Sequence, residues 1–456
     1  MNPMPTPTRP DLRRATTLAA GALLLAACTT TPPASTEAAP TARTCPDSVP
    51  AGTRCWFGQD SAGAHYLVAM PAQWNGVLVL HAHGGPTLGP VKPERALEDL
   101  KRWSIWVRSG HAFAASTYRQ GGVAVRAAAE DTERLRGIFV QHIDKPRRTV
   151  LHGQSWGAGV AAKGAEMFTR GVDGKRPYDA VLLTSGVLGG GSRSYDFRLD
   201  LRVVYQVLCG NHPRADEPAY PLWMGLPAGS TMKPDDLRQR TRECLGIGLP
   251  AAQRSAEQAR RLKELATVIR IPESSVQGHL NWATFHFADI AHQRTGGRPV
   301  FGNIGAEYRG SSDDRALNAA VARYAADPVA LKAFADDTDP SGRIPVPVLT
   351  VHATGDPTAF VELEHEFQRT MAAAGRADAL VQVFTSDREH SYLSDPVYPA
   401  AIEALLRWAD GGPKPTPQAL ADRCQALQAS WGPGCRMLPD YRPQPLDARV
   451  VPRQRP

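Results

Sequence analysis

The sequence has no Cys-x-x-Cys pair, no His/Cys cluster at zinc-ligand spacing, no run of Lys or Arg, no internal repeat and no apolar stretch long enough to span a bilayer. Each absence removes a class of function. Without clustered soft ligands a structural zinc site is not expected, and no metal or cofactor is implied. The formal charge of +7 is spread thinly along the chain, so nothing suggests a groove for nucleic acid. What remains is a 456-residue chain, 42% hydrophobic and 21% charged. That is ordinary globular composition with enough length to bury a large core.

Near the start, Arg9, Arg13 and Arg14 precede a short run of small and apolar residues from Ala15 to Ala27. A basic segment ahead of an apolar run too short for a membrane span is the pattern of an export signal. The run ends in Leu25-Ala26-Ala27-Cys28, which resembles a bacterial lipobox and implies cleavage before Cys28 and lipidation of its thiol. On this reading residues 1–28 are a lipoprotein signal peptide. Residues 29–44, rich in Thr, Pro, Ala and Ser, are a flexible tether. The protein is then expected to be exported and lipid-anchored to the cell envelope, at the outer membrane or the periplasmic side. The other six cysteines, Cys45, Cys55, Cys209, Cys244, Cys424 and Cys435, are an even set, which in an exported chain argues for disulfides. About fifteen pairings are possible; local spacing favours 45–55, 209–244 and 424–435.

Between residues 65 and 185 short apolar runs alternate with helical patterns, the signature of a parallel sheet covered by helices. Strands are expected over 65–70, 76–82, 111–117, 148–152 and 178–185, and helices over 123–142 and 156–170. From about Gly189 to Arg343 the alternation stops. Helical stretches at 235–244, 252–268 and 314–324 lie among Pro/Gly-rich connectors there, as in a separate, mostly helical cap. The rhythm resumes with strands at 346–352 and 379–385 and helices at 359–373 and 397–409. A Pro-rich tail with a disulfide loop then follows. The expected division is a core in two parts, 45–188 and 344–411, a cap insertion over 189–343 and a tail over 412–456.

A nucleophile on a tight strand-to-helix turn needs small neighbours, because the chain passes close to itself there. Gly153-Gln154-Ser155-Trp156-Gly157 supplies them, with the apolar run Thr149-Val150-Leu151 before and Ala158-Gly159-Val160-Ala161 after. That is the G-x-S-x-G elbow in its required setting. Over residues 60–190 and 343–410 the chain resembles the α/β-hydrolase superfamily. The resemblance implies an α/β-hydrolase fold: a mostly parallel sheet with helices on both faces and a large, mainly helical cap insertion. It also implies catalytic residues in the order Ser, acid, His. The acid would be Asp356, on the Gly355-Asp356-Pro357 turn after strand 346–352, with Glu362 and Glu364 as fallbacks on the following helix. The base would be His390, in the loop between the last strand and the last helix. Of the 13 histidines it alone has that position; His352 and His365 lie on a strand and a helix, and His279 and His286 lie in the insert.

A tetrahedral oxyanion needs two backbone N–H donors. The resemblance implies Trp156 for one. The other falls in His83-Gly84-Gly85-Pro86, with Gly85 as first choice and Gly84 as second. Together with Ser155-Trp156-Gly157, this loop is similar to the proline-iminopeptidase branch, which includes ester-cleaving relatives. An aminopeptidase needs carboxylates in the cap to hold the substrate ammonium, and Asp196, Asp200 and Glu217 are at hand, although any soluble cap carries acids. The expected activity is cleavage of a small-molecule carboxylic ester by a serine hydrolase. The alternatives are an aminopeptidase or amidase acting on a short peptide, and a non-catalytic binding lipoprotein on a hydrolase fold.

Overall fold

The computed structural model describes residues 37–171 and 174–455. The lipobox cysteine Cys28, the leader over 1–28 and the first part of the expected tether lie outside them. Nine strands form one sheet in the order β1-β2-β3-β5-β4-β6-β7-β8-β9. In chain order they are β1 Thr41–Arg43, β2 Arg54–Gln59, β3 His65–Met70, β4 Val77–Ala82, β5 Ala112–Ser116, β6 Arg148–Gln154, β7 Ala180–Thr184, β8 Val348–Ala353 and β9 Leu380–Thr385. β1, β2 and β3 pair antiparallel, as do β3 and β5. From β5 to β9 every pairing is parallel. The central strands β4, β6, β7 and β8 are buried almost end to end, as strands covered on both faces must be.

The covering helices bury one stripe each. Val125–His142 packs Leu135, Ile138 and Phe139 on one face of the sheet. Val397–Ala409 packs Ile402 and Leu405 on the other. The helix Trp156–Met167 is buried from Trp156 to Ala165. Its small residues let it sit close to the strands.

Two expectations need correction. The segment expected to be tether through residue 44 contains β1, which pairs Thr41 to Arg43 with Phe57 to Cys55. Its side chains are all exposed, so it is held by backbone hydrogen bonds with no apolar pattern to betray it. The tail after 412 is not merely Pro-rich chain, for Pro417–Trp431 is a helix. Pro417 stands at its first position and the Thr416 hydroxyl accepts the Ala419 N–H at 3.2 Å, so the proline starts the helix. Leu420, Cys424 and Leu427 then join the core that holds Ile402 and Leu405.

Residues 189–343 carry helices and no strand among the described residues. The principal ones are Phe197–Cys209, Pro234–Leu245, Ala256–Ile269, a continuous helical stretch over 276–294, and Pro328–Thr338. The cysteines pair as Cys45–Cys55, Cys209–Cys244 and Cys424–Cys435, which points to an oxidising compartment. No helix among the described residues is long and apolar enough to cross a membrane.

Candidate active site

β6 runs between β4 and β7 and delivers the chain directly into the helix Trp156–Met167. Ser155, at the join, has φ 57° and ψ −124°, a backbone conformation that L-residues avoid unless their surroundings enforce it. The enforcement is visible. Ser155 N–H donates to the Thr184 carbonyl at 3.0 Å, and the Ser155 carbonyl accepts from Ala158 and Val187. A methyl on Gly153 would lie 2.7 Å from Ala158 Cα, and one on Gly157 would lie 2.5 Å from the His83 carbonyl oxygen. Both glycines are required by close approach of backbone to backbone.

Three chemistry-bearing side chains meet at this turn from three separate loops. Ser155 Oγ is 2.7 Å from His390 Nε2. His390 Nδ1 is 2.8 Å from Asp356 Oδ2 and 3.0 Å from Oδ1. Asp356 follows β8, and its Oδ1 also accepts the N–H groups of Thr358 and Ala359 at 2.8 and 3.0 Å, a turn that aims the carboxylate. The acid and base loops are laced together by Thr354 N–H to the Thr385 carbonyl and Gly355 N–H to the Asp387 carbonyl. Arg436, in the tail, holds the Asp387 carboxylate at 2.7 Å.

The glycine loop after β4 lies against the same turn. A methyl on Gly84 would fall 2.9 Å from both Ser155 Cβ and the Gln154 carbonyl oxygen, whereas Gly85, at φ +71°, has open space beside it. Arg95 Nη2 donates to the Gly84 carbonyl at 3.0 Å while pairing with Asp99 at 3.2 Å. His83 stacks on Tyr118, centroids 4.2 Å apart. Burial, with help from Arg95, pushes the His83 imidazole down to about 3, so it is neutral. Trp156 opens its helix, where backbone N–H groups have no partner within the helix.

Two histidines that the sequence placed only in the insert turn out to brace both sides of this site. His279 Nε2–H donates to the carbonyl of Pro357, next to Asp356, at 2.9 Å. His286 Nε2–H donates to the carbonyl of Pro86, next to Gly85, at 3.0 Å. Burial holds them down to about 3 and about 4, so both stay neutral donors. Their spacing of seven positions, two helical turns on one face, was the available signal. The aromatic run that contains them includes a π-helical turn, Trp282–His286, and Trp282 stacks on His286 at 4.5 Å with 3° between planes.

The acids considered for an ammonium are all engaged. Asp196 pairs with Arg455 at 2.6 Å and Arg453 at 3.6 Å. Asp200 pairs with Arg453 and accepts the Tyr308 hydroxyl at 2.8 Å. Glu217 takes Arg240 at 2.7 Å. The fallback acids point elsewhere: Glu362 meets Arg449, and Glu364 is buried against His352, Thr350 and Gln382.

The topology and the order of the three loops define the α/β-hydrolase fold: a mostly parallel sheet, helices on both faces, and a serine elbow after a central strand. No family model and no curated protein matches the chain. Solved structures similar to it include an esterase from Aspergillus oryzae, 12% identical over 80% of this chain and 80% of that one, with TM-score 0.41. Feruloyl esterase B from Aspergillus oryzae is 12% identical over 80% and 81%, with TM-score 0.42. Puromycin hydrolase is 14% identical over 82% of this chain, with TM-score 0.37. The match spans 40% of that protein's length.

Proposed function

We infer that this chain is a serine hydrolase cleaving a carboxylic ester through an acyl-enzyme. The observation that carries the reading is the continuous line Ser155 Oγ–His390 Nε2–Asp356, at 2.7 and 2.8 Å. His390 takes the hydroxyl proton as Oγ bonds to the substrate carbonyl carbon. Asp356 fixes the imidazole with its proton on Nδ1 and stabilises the imidazolium. The oxyanion is held by the N–H of Trp156 and one from the Gly84–Gly85 corner, with Gly85 the first choice. His390 then protonates the leaving alkoxide. In the second half it deprotonates water, which cleaves the acyl-enzyme and returns the proton to Ser155.

Ester rather than aminopeptide substrates are favoured because Asp196, Asp200 and Glu217 are neutralised by arginines. None is left to receive an ammonium. We also assign residues 189–343 as a cap over the site and Cys28 as a lipid anchor to the envelope of an exported protein.

Ser155→Ala should abolish covalent labelling by a fluorophosphonate; labelling at the wild-type rate would remove the assignment. A panel of p-nitrophenyl esters beside aminoacyl-nitroanilides separates esterase from aminopeptidase. Silence on both, with no labelling, would leave a binding protein. Incorporation of radiolabelled palmitate, lost in Cys28→Ser, tests the anchor.

A further inference from the structure

Arg198, on the insert helix Phe197–Cys209, is only 4% exposed and pairs with no carboxylate among the described residues. Its one hydrogen bond among the described residues runs from Nη1 to the Ser194 carbonyl at 3.2 Å, and its buried Nε–H has no partner. The two acids nearest in sequence are held elsewhere, Asp196 by Arg453 and Arg455 and Asp200 by Arg453. Arg202, one turn further on, shares the unpartnered Nε–H, but both of its terminal nitrogens are engaged, Nη1 by the His212 carbonyl and Nη2 by the Tyr220 hydroxyl. A buried guanidinium without a counter-charge is costly to desolvate. Part of that cost is offset by aromatic faces, with Trp282 4.6 Å, Phe197 4.7 Å and Tyr195 5.1 Å from the guanidinium carbon. Rings cover the faces of a guanidinium; they leave its edge hydrogens unsatisfied. The edge left open here is Nε–Nη2, one of the two that can grip a carboxylate with two parallel bonds.

The position of this cation ties it to the candidate site. Trp282, under the guanidinium, stacks on His286, which donates to the carbonyl beside Gly85. Phe197 meets His279 edge-on at 5.0 Å, and His279 donates to the carbonyl beside Asp356. The charge of Arg198 contributes, after burial, to keeping both histidines unprotonated. Arg198 itself is drawn down only to about 10 by burial, so it is a cation at neutral pH.

We propose that Arg198 is a substrate-recognition site for a carboxylate, so that this hydrolase acts on esters that carry a free carboxylate group. The inference rests on Ser155 being the nucleophile. The carboxylate belongs to the acyl part or to the leaving group, and matched substrates separate the two. For the acyl side, p-nitrophenyl hydrogen glutarate is compared with p-nitrophenyl valerate. For the leaving-group side, 4-acetoxybenzoate is compared with its methyl ester.

In the wild type the charged member of one pair should show the higher kcat/KM, on the order of 10- to 100-fold, as charge-assisted hydrogen bonds supply. In Arg198→Met, which keeps a long side chain in the aromatic cage, that ratio should fall to about 1 or below. Arg198→Lys should lie between, since it keeps the charge and loses the paired geometry. Equal ratios in wild type and Arg198→Met would overturn the proposal. Binding without turnover is read from tryptophan fluorescence as monomethyl glutarate or 4-acetoxybenzoate is titrated into Ser155→Ala. A saturable change, absent when Arg198→Met is added, is expected with monomethyl glutarate for an acyl-side carboxylate or with 4-acetoxybenzoate for a leaving-group one; no change with either in Ser155→Ala would also overturn the proposal. Absence of all ester turnover and of fluorophosphonate labelling in the wild type would sink the hydrolase reading instead, and the fluorescence titration would still report on Arg198.

Discussion

His352 Nε2 lies 3.6 Å from Asp356 Oδ2, the same oxygen that His390 Nδ1 approaches at 2.8 Å. Both nitrogens of His352 face acceptors, the Ala359 carbonyl at 2.9 Å and the Glu364 carboxylate at 3.0 Å. The other oxygen of Glu364 accepts from Thr350 and Gln382, each at 2.7 Å. Burial works against a charged His352, but the hydrogen bond and charge of Glu364, joined by Asp356, raise its pKa above the ordinary value. A buried histidine whose pKa is raised by a carboxylate partner therefore stands beside the acid of the candidate triad.

Glu364→Gln removes the partner that raises the His352 pKa, so the neutral imidazole is favoured beside Asp356. The cluster that packs beside the Asp356 carboxylate changes with it, so kcat/KM at about pH 7 should fall by roughly 10-fold. Breaking the buried pair should also lower stability by about 3–5 kcal/mol, measured by denaturant titration. A folded variant with unchanged kcat/KM would mean that the pair is only structural.

Gly157→Ala places a methyl 2.5 Å from the His83 carbonyl oxygen, against backbone that has nowhere to move. The elbow must shift, and Ser155 with it. A displacement of about 1 Å costs roughly 100-fold in rate, so fluorophosphonate labelling should slow by that order. Undiminished labelling would show that the elbow tolerates the shift.

Asp99 is 3% exposed, and burial, opposed by Arg95 and Arg102, pushes its carboxyl up from 3.8 to about 7. The folded protein binds this proton more tightly than the unfolded chain does. The stabilising contribution is therefore complete below pH 3.8 and is lost as pH rises to about 7. Asp99→Asn escapes that loss. Its stability relative to wild type should rise between about pH 4 and pH 8 by a few kcal/mol, since each tenfold difference in proton affinity between the folded and unfolded chain is worth about 1.4 kcal/mol. A flat difference across that range would contradict the assignment.

Arg453→Met leaves Asp196 and Asp200 buried without their shared cation. A loss of about 3–5 kcal/mol is expected from thermal or denaturant unfolding at about pH 8. The deficit should shrink as pH falls, because burial already raises Asp200 to about 6 and a protonated acid needs Arg453 less. An unchanged deficit at about pH 5 would argue against the ion pair as its source.

The parallel strands of the core and the three site loops were legible in the sequence because apolar runs, turn residues and small neighbours all agreed there. The strand expected at 346–352 is β8, Val348–Ala353, and the one expected at 379–385 is β9, Leu380–Thr385. The helix Phe197–Cys209 was not legible. It turns Arg198, Asp200 and Arg202 inward along with its apolar residues and is buried continuously from Phe197 to Tyr205. A helix whose charges point into the protein shows no alternation of polar and apolar faces. The bracing by His279 and His286 was hidden for another reason, since both donate to carbonyls of distant loops. Backbone acceptors have no residue type to recognise.

Arg453 reaches Asp200 across 253 residues of chain. During synthesis the helix that carries Asp200 emerges with its acids uncompensated, and their cation follows roughly 10–50 s later at about 5–20 residues per second. The insert therefore cannot settle by stages as it leaves the ribosome. Its charge network closes late, and for that interval this part of the chain stays open.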